Sequence, residues 1–223
     1  MKDIDDALKA WLYHLSQIAC DLGAKYAKPI GVSDIIVDPR VSFKCQVPRC
    51  PFYGNNLMCP PATISPSEFR ELLKNYCAGL LLVVNSASEG PPDDLTKAGR
   101  LEDVWEITTL ARRDSPTISM PTADYAKRLR SGQELLSRIE GHLESLCLAQ
   151  GYQFAAGLSA GGCFLCEECV GITSGLACRH PFESRPSMEA LGIDVVATAR
   201  RVDVGLIFTS NSPRYWVGLL LVD

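Results

Sequence analysis

Seven of the ten cysteines in this 223-residue chain fall in two short groups. Cys45, Cys50 and Cys59 lie in CQVPRCPFYGNNLMCPP, and Cys163, Cys166, Cys169 and Cys178 lie in GGCFLCEECVGITSGLACRHP. Thiolates bind soft and borderline metals strongly, so cysteines gathered in this way point to a metal ion or a metal–sulfur cluster. The run C-x-x-C-x-x-C suits an iron–sulfur cube. A tight loop with a thiolate at every third residue reaches three iron corners, and a more distant cysteine, here Cys178, completes the cage. Gly161, Gly162, Gly171 and Gly175 would let backbone N–H groups approach the cluster sulfurs.

Zinc is the competing metal. Structural zinc sites favour two separated C-x-x-C knuckles around one tetrahedral ion. Successive C-x-x-C steps, and the C-x4-C-x8-C spacing of the first group, suit zinc less well. The first group supplies only three thiols, so it either takes a fourth ligand from elsewhere or leaves one iron uncapped. His180, two residues beyond Cys178, and Cys77, at a helix end, are the candidates for a fourth ligand. An uncapped iron could instead bind a substrate, a small thiol or sulfide as a Lewis acid. A further arrangement pools all seven cysteines around two clusters, with Cys178 crossing to the second.

Around these groups, Arg40, Arg179, His180 and Arg185 form either a positive rim or ion pairs with Glu167, Glu168 and Glu183. Phe52, Tyr53 and Phe164 are placed to shield a cluster from water, which tunes its potential and limits attack by oxygen. Cys20, Cys77 and Cys147 sit in apolar helical patterns and read as small buried hydrophobes. No dinucleotide, phosphate-loop, zincin or nucleophile-elbow motif occurs; the glycine-rich GLSAGG at 157–162 matches a phosphate loop only weakly.

The elements that must position the cysteines follow from periodicity. Ile4, Leu8, Trp11, Leu15, Ile18 and Leu22 mark a first helix stopped by Gly23. VSDIIVDPRV reads as a short strand region limited by Pro39. The first cysteine group is proline-rich and loop-like, and leads into a helix announced by Ser65, Pro66 and Glu68 as a capping box. AGLLLVVN is an apolar run expected of a strand buried on both sides. Residues 85–99 read as an exposed loop, 100–112 as a helix, and 122–150 as a longer helix ended by Gly151. YQFAAGLSA is a second core strand running into the second cysteine group. A helical stretch from Pro186 is interrupted near Gly192, and RYWVGLLLV closes the chain as a strand. These alternations predict a single α/β domain over residues 1–223: a sandwich with a mixed sheet of about four or five strands, covered by helices, and with the cysteine loops at strand–helix junctions.

Composition narrows the function classes. The chain is 47% apolar and 22% charged, with a scattered net charge of −4, which argues against nucleic acid or an anionic membrane as partner. No apolar run reaches the roughly 20 residues that cross a bilayer. The acidic, amphipathic start lacks the charge order of a secretory signal. The expectation is a soluble, cytoplasmic protein, where ten cysteines are better explained by metal than by disulfides.

CPFYGNNLMCPP, GGCFLCEEC, CRHP and RPSMEALGIDV together resemble a family of predicted metal-binding proteins of unknown function, found mostly in anaerobic bacteria and archaea. The likeness runs from Cys45 to the end of the chain. It implies that Cys45, Cys50, Cys59, Cys163, Cys166, Cys169 and Cys178 are metal positions, with Arg185-Pro186-Ser187-Met188-Glu189 following them. It also implies iron–sulfur binding, but no particular reaction. Three functions then compete. The first is a carrier with one or two 4Fe–4S clusters passing single electrons to a redox partner protein in anaerobic metabolism. The second is an enzyme whose open-iron three-cysteine cluster transfers sulfur or activates a small-molecule substrate, with a cleft at the Cys45–Cys59 loop. The third is a zinc-stabilised interaction module.

Overall fold

A computed structural model describes residues 5–87, 120–206 and 214–223. Asp5 caps the first helix, α1 (Asp6–Asp21), its carboxylate accepting a hydrogen bond from the Leu8 N–H at 2.6 Å. Leu8, Leu12, Leu15 and Ala19 recur every three or four residues and are buried, with Trp11 and Ile18 half-buried beside them. Leu22, expected on the same stripe, is exposed.

The chain then enters β1 (Tyr26–Gly31), a strand with no alternating pattern to announce it. It lies at the sheet edge, where Pro29 can stand without a donor N–H. The strand expected in VSDIIVDPRV is replaced by a 3-10 turn at Val32–Asp34, a single bridge between Val37 and Ile193, and the short helix α2 (Pro39–Phe43). Asp38 caps that helix and Pro39 occupies its first turn, so the local start signal overrides the β-branched residues before it. Helix α3 (Pro66–Leu72) begins as its sequence predicts, with Ser65 and Glu68 closing a capping box.

Strands β2 (Ala78–Ala87) and β4 (Arg214–Val222) form the centre of a four-stranded sheet of order β1-β2-β4-β3. Between them in the chain come helix α4 (Met120–Ala149), the short strand β3 (Ala156–Leu158) and helix α5 (Val195–Arg201). About four or five strands were expected, in a mixed sheet; the described residues form four, and every ladder among them is antiparallel. The reason is topological. The helix between β2 and β3 makes a crossover joining two strands of the same direction, and β4 inserts between them, pairing antiparallel with each.

Both faces of the sheet are covered, which accounts for the unbroken apolar runs in β2 and β4. Leu80, Leu82, Val84, Leu220 and Val222 meet α1 and α4 through Leu12, Leu15, Leu136, Ile139 and Leu143. Leu81, Val83, Leu219 and Leu221 meet the layer built from Phe69, Leu73, Met188, Leu191, Ile193 and Ala199. Each such leucine contributes about 1.5–3 kcal/mol through burial. The second core strand is shorter than YQFAAGLSA suggested, because only residues 156–158 find a ladder. The helical stretch after Pro186 resolves into a 3-10 turn at Glu189–Leu191, Gly192 in the left-handed region, and α5 capped by Asp194. The expected helix at 100–112 lies outside the described residues, as does the expected loop beyond residue 87. No helix among the described residues is long and apolar enough to cross a membrane.

Candidate metal centre

The first cysteine loop leaves α2 and is built from successive turns, since its prolines remove the donors that a helix or strand would need. The Cys50 N–H reaches the Cys45 carbonyl (2.9 Å), Tyr53 N–H the Cys50 carbonyl (3.0 Å), and Cys59 N–H the Asn56 carbonyl (3.1 Å). Gly54 N–H closes the loop on the Pro60 carbonyl at 2.9 Å. Asn56, only 3% exposed, fastens the whole. Its Oδ1 accepts from the Met58 N–H at 2.9 Å, and its Nδ2 donates to the Cys163 carbonyl at 3.1 Å, in the second loop.

The second loop leaves β3 and is held from three sides. Ser159 bonds the strand-like segment 186–188 through its N–H to the Pro186 carbonyl and its carbonyl to the Met188 N–H, both 2.9 Å. From α4, Gln133 Nε2 donates to the Ala160 carbonyl (2.6 Å) and the Gly162 carbonyl (2.8 Å), fixing the approach to Cys163. From the first loop, the Phe52 ring lies against Gly162 so closely that a Cβ there would stand 2.8 Å from it. Phe52 also meets Phe164 edge-on, with ring centroids 5.3 Å apart and planes at 89°. At the far end of the loop, Cys178 Sγ accepts from the His180 N–H and stands beside the Ser184 hydroxyl, each at 3.4 Å. Contacts of this kind orient a sulfur that ligates metal.

The electrostatics show that the two groups adjoin. Burial pushes the Cys59 thiol up to about 12, and Cys50, Cys45, Cys163 and Cys169 add to that shift in turn. Burial also raises Cys163, opposed by the Leu165 backbone and reinforced by Cys178, Cys169 and Cys166. Cys45 is raised by burial, then by Cys50 and by Glu189. Thus Cys45, Cys50 and Cys59 lie within one another's electrostatic reach, Cys163, Cys166, Cys169 and Cys178 form a second such set, and Cys59 joins them. Partly enclosed as they are, these cysteines make a partly dry patch, and metal binding by cysteine displaces the thiol proton.

The other expected residues are distributed differently. Cys147 is buried and Cys77 partly so, both in the layer of α1 and α4. Cys20, expected to be buried, is exposed, because it falls on the outer side of α1. His180 lies 3.8 Å from Glu183 and lines an open cavity with Cys166, Glu167, Glu168 and Arg179, beside the second group rather than the first. Arg40 and Arg185 are paired, though with other acids than expected. Arg40 binds Asp38, and Arg185 binds Glu144 with Nε to Oε1 at 2.9 Å and a second contact from Nη2 to Oε2. Arg179 donates to the Glu168 carbonyl at 2.8 Å. Tyr53 stacks under Arg49, while Phe52 and Phe164 join the two loops.

Three features were not anticipated. A cavity of about 480 Å³ borders the second loop, lined in part by Ser137, Arg138, Ser159, Cys163 and Arg185. Asn56 and Gln133 are the fasteners of the loops, and nothing but their position in polar sequence distinguishes them. Glu189, in the RPSMEALGIDV stretch singled out only as a motif, lies within the electrostatic reach of Cys45.

Among the described residues, no three histidine, cysteine, aspartate or glutamate side chains converge tightly enough to seat a single metal ion. No curated protein and no solved structure is significantly similar to the chain. A family model, however, matches residues 28–222, both cysteine groups included, and the chain therefore belongs to the family described as predicted metal-binding protein (DUF2284).

Proposed function

We propose that this protein is an iron–sulfur protein of anaerobic, cytoplasmic redox metabolism. Cys163, Cys166, Cys169 and Cys178 hold one 4Fe–4S cluster, and Cys45, Cys50 and Cys59 hold the second centre. The observation that carries this reading is the junction of the two cysteine groups, more than a hundred residues apart in the chain, through Asn56 and Cys163 and through Phe52 and Phe164. A chain folded around a single structural ion has no need for seven adjoining thiols.

When bound, a 4Fe–4S cluster supplies one-electron transfer. The residues of the chain then have separable tasks. Phe52 and Phe164 exclude water between the loops, and the His180 N–H and Ser184 hydroxyl tune the Cys178 sulfur. Gln133 keeps the Ala160–Gly162 backbone in place. A redox partner protein would take the electron where Cys166 borders the open surface near Arg179 and His180.

The cavity beside Cys163 favours a second reading, in which a small-molecule substrate with anionic or hydroxyl groups binds next to the second group, near Arg138 and Ser137.

Anaerobic purification followed by iron, acid-labile sulfide and zinc analysis tests the proposal. About eight irons and eight sulfides per chain support two cubes, and about four support one. Zinc without sulfide refutes it. Ligand-induced change in the cluster's paramagnetic resonance would separate the enzyme from the carrier.

A further inference from the structure

A further cavity, of about 840 Å³, lies at the free edge of β1, and none of the seven grouped cysteines lines it. It is bordered by α1, by β1, by the 3-10 turns Val32–Asp34 and Leu73–Asn75, and by the end of α5. Four of its lining residues, Leu12, Ile30, Leu73 and Val202, are buried and give it an apolar floor. Tyr13 and Tyr76 line it as well. A concave site of this size, apolar with a few polar groups converging on it, is the usual form of a small-molecule pocket.

The charges around this floor are unbalanced. Four elements each contribute a cation: Lys9 from α1, Lys28 from β1, Lys74 from the Leu73–Asn75 turn and Arg201 from α5. Among the described lining residues only Asp34 and Asp203 oppose them, although the chain as a whole carries −4. Most of these cations are weakly committed. Lys28 Nζ is the exception, since it donates to the Val202 carbonyl and ties β1 to the end of α5. Lys74 pairs with Glu71 at 2.5 Å, but both are exposed, and such a pair contributes at most about 1 kcal/mol. Arg201 Nε stands 3.5 Å from Asp34 Oδ1, while Asp34 Oδ2 accepts from the Gly31 N–H at 3.0 Å. The Lys9 ammonium has no partner among the described residues. Cations gathered over an apolar floor repel one another, and a bound anion removes that repulsion.

We infer that this cavity binds a small amphipathic anion, a phosphate monoester carried on an apolar or aromatic body. The phosphate answers Lys9, Lys74 and Arg201 through charge-assisted hydrogen bonds, and the body lies on the buried floor beside Tyr13 and Tyr76. An extended peptide is the poorer occupant. Pro29 in the middle of β1 has no N–H to offer an added strand, and the charged Lys28 beside it guards the same edge. The site is independent of the metal-centre reading.

Calorimetric titration of the anaerobically purified full chain with octyl phosphate, adenosine monophosphate and inorganic phosphate tests the site. One equivalent of octyl phosphate or of adenosine monophosphate is expected to bind about tenfold or more tighter than inorganic phosphate, and the tighter ester shows whether the body is aliphatic or aromatic. In the double variant Lys9→Ala, Arg201→Gln, both exposed positions, that binding should weaken by about tenfold or more. Cys77 lines the cavity and the exposed Cys20 does not, so the bound ester should slow alkylation of Cys77 and leave that of Cys20 unchanged, read peptide by peptide in the wild-type chain. The Cys77 readout decides alone if the variant fails to fold. Inorganic phosphate binding as tightly as either ester, no binding of either ester at millimolar concentration, undiminished binding in the folded variant, or an unchanged Cys77 rate each overturns the assignment.

Discussion

At the residue scale, Cys59 is the pivot of the site. It is the most enclosed of the seven cysteines, at 7% exposure, and its thiol feels cysteines from both loops. Replacing it should therefore separate the two centres. In Cys59→Ala, iron per chain is expected to fall by about half, with the Cys163–Cys178 centre retaining its spectrum; an unchanged count would return Cys45, Cys50 and Cys59 to structural roles. The cysteines themselves were legible in the sequence because soft-metal chemistry leaves few substitutes for thiolate. The residues that hold them were not. Asn56 acts through one hydrogen bond to a backbone carbonyl of the other loop and Gln133, on α4, through two, and such contacts leave no periodic or compositional trace.

At the scale of elements, sequence and structure agree wherever burial is one-sided or complete. The apolar stripe of α1, the capping box of α3 and the apolar runs of β2 and β4 were all readable, because each is decided by neighbours a few residues away. β1 escaped notice because an edge strand carrying Pro29 draws its stability from one ladder with β2. Helix α4 carries a feature that periodicity conceals. Glu140 lies on its buried face, 0% exposed, pressed toward Gly218 so closely that a Cβ there would collide with Oε1. Burial pushes its carboxyl up to about 8, partly offset by the Ser159 hydroxyl and the Arg185 charge. Between its ordinary value of 4.5 and about 8, the folded chain keeps a proton that the unfolded chain releases. Stability from this group is thus fully present below pH 4.5 and falls as pH rises toward 8, by a few kcal/mol in all, at about 1.36 kcal/mol per pH unit. Glu140→Gln, which has no proton to lose, should flatten that decline in thermal melts taken from pH 5 to pH 8.5. Parallel slopes for the two proteins would show that Glu140 is not buried as a neutral acid.

At the scale of the molecule, the apolar core and the cysteine loops are held by different forces. The sheet, α1 and α4 bury a continuous layer of leucines, whereas residues 45–62 and 163–184 hold together through turns, a few side-chain hydrogen bonds and the Phe52–Phe164 contact. The loops also concentrate thiols whose protons must leave before metal enters, so metal affinity is folding energy for this region in particular. Ligand binding stabilises whatever it organises and leaves a separately packed core nearly unchanged. Removing metal with a chelator under anaerobic conditions should therefore raise amide hydrogen exchange across residues 45–62 and 163–184 by a factor of ten or more, roughly 1.4 kcal/mol of local stability. The β2–β4 ladder, whose strands are buried on both faces, should remain protected. Equal acceleration in ladder and loops would mean that the metal supports the entire fold, and no acceleration in either would mean that the loops need no metal to close. The first alternative would require the two layers to unfold together. The distribution of contacts argues against it: Asn56 and the Phe52–Phe164 pair join one loop to the other, while the leucines of β2 and β4 pack in two apolar layers with α1, α4 and the elements of the opposite face.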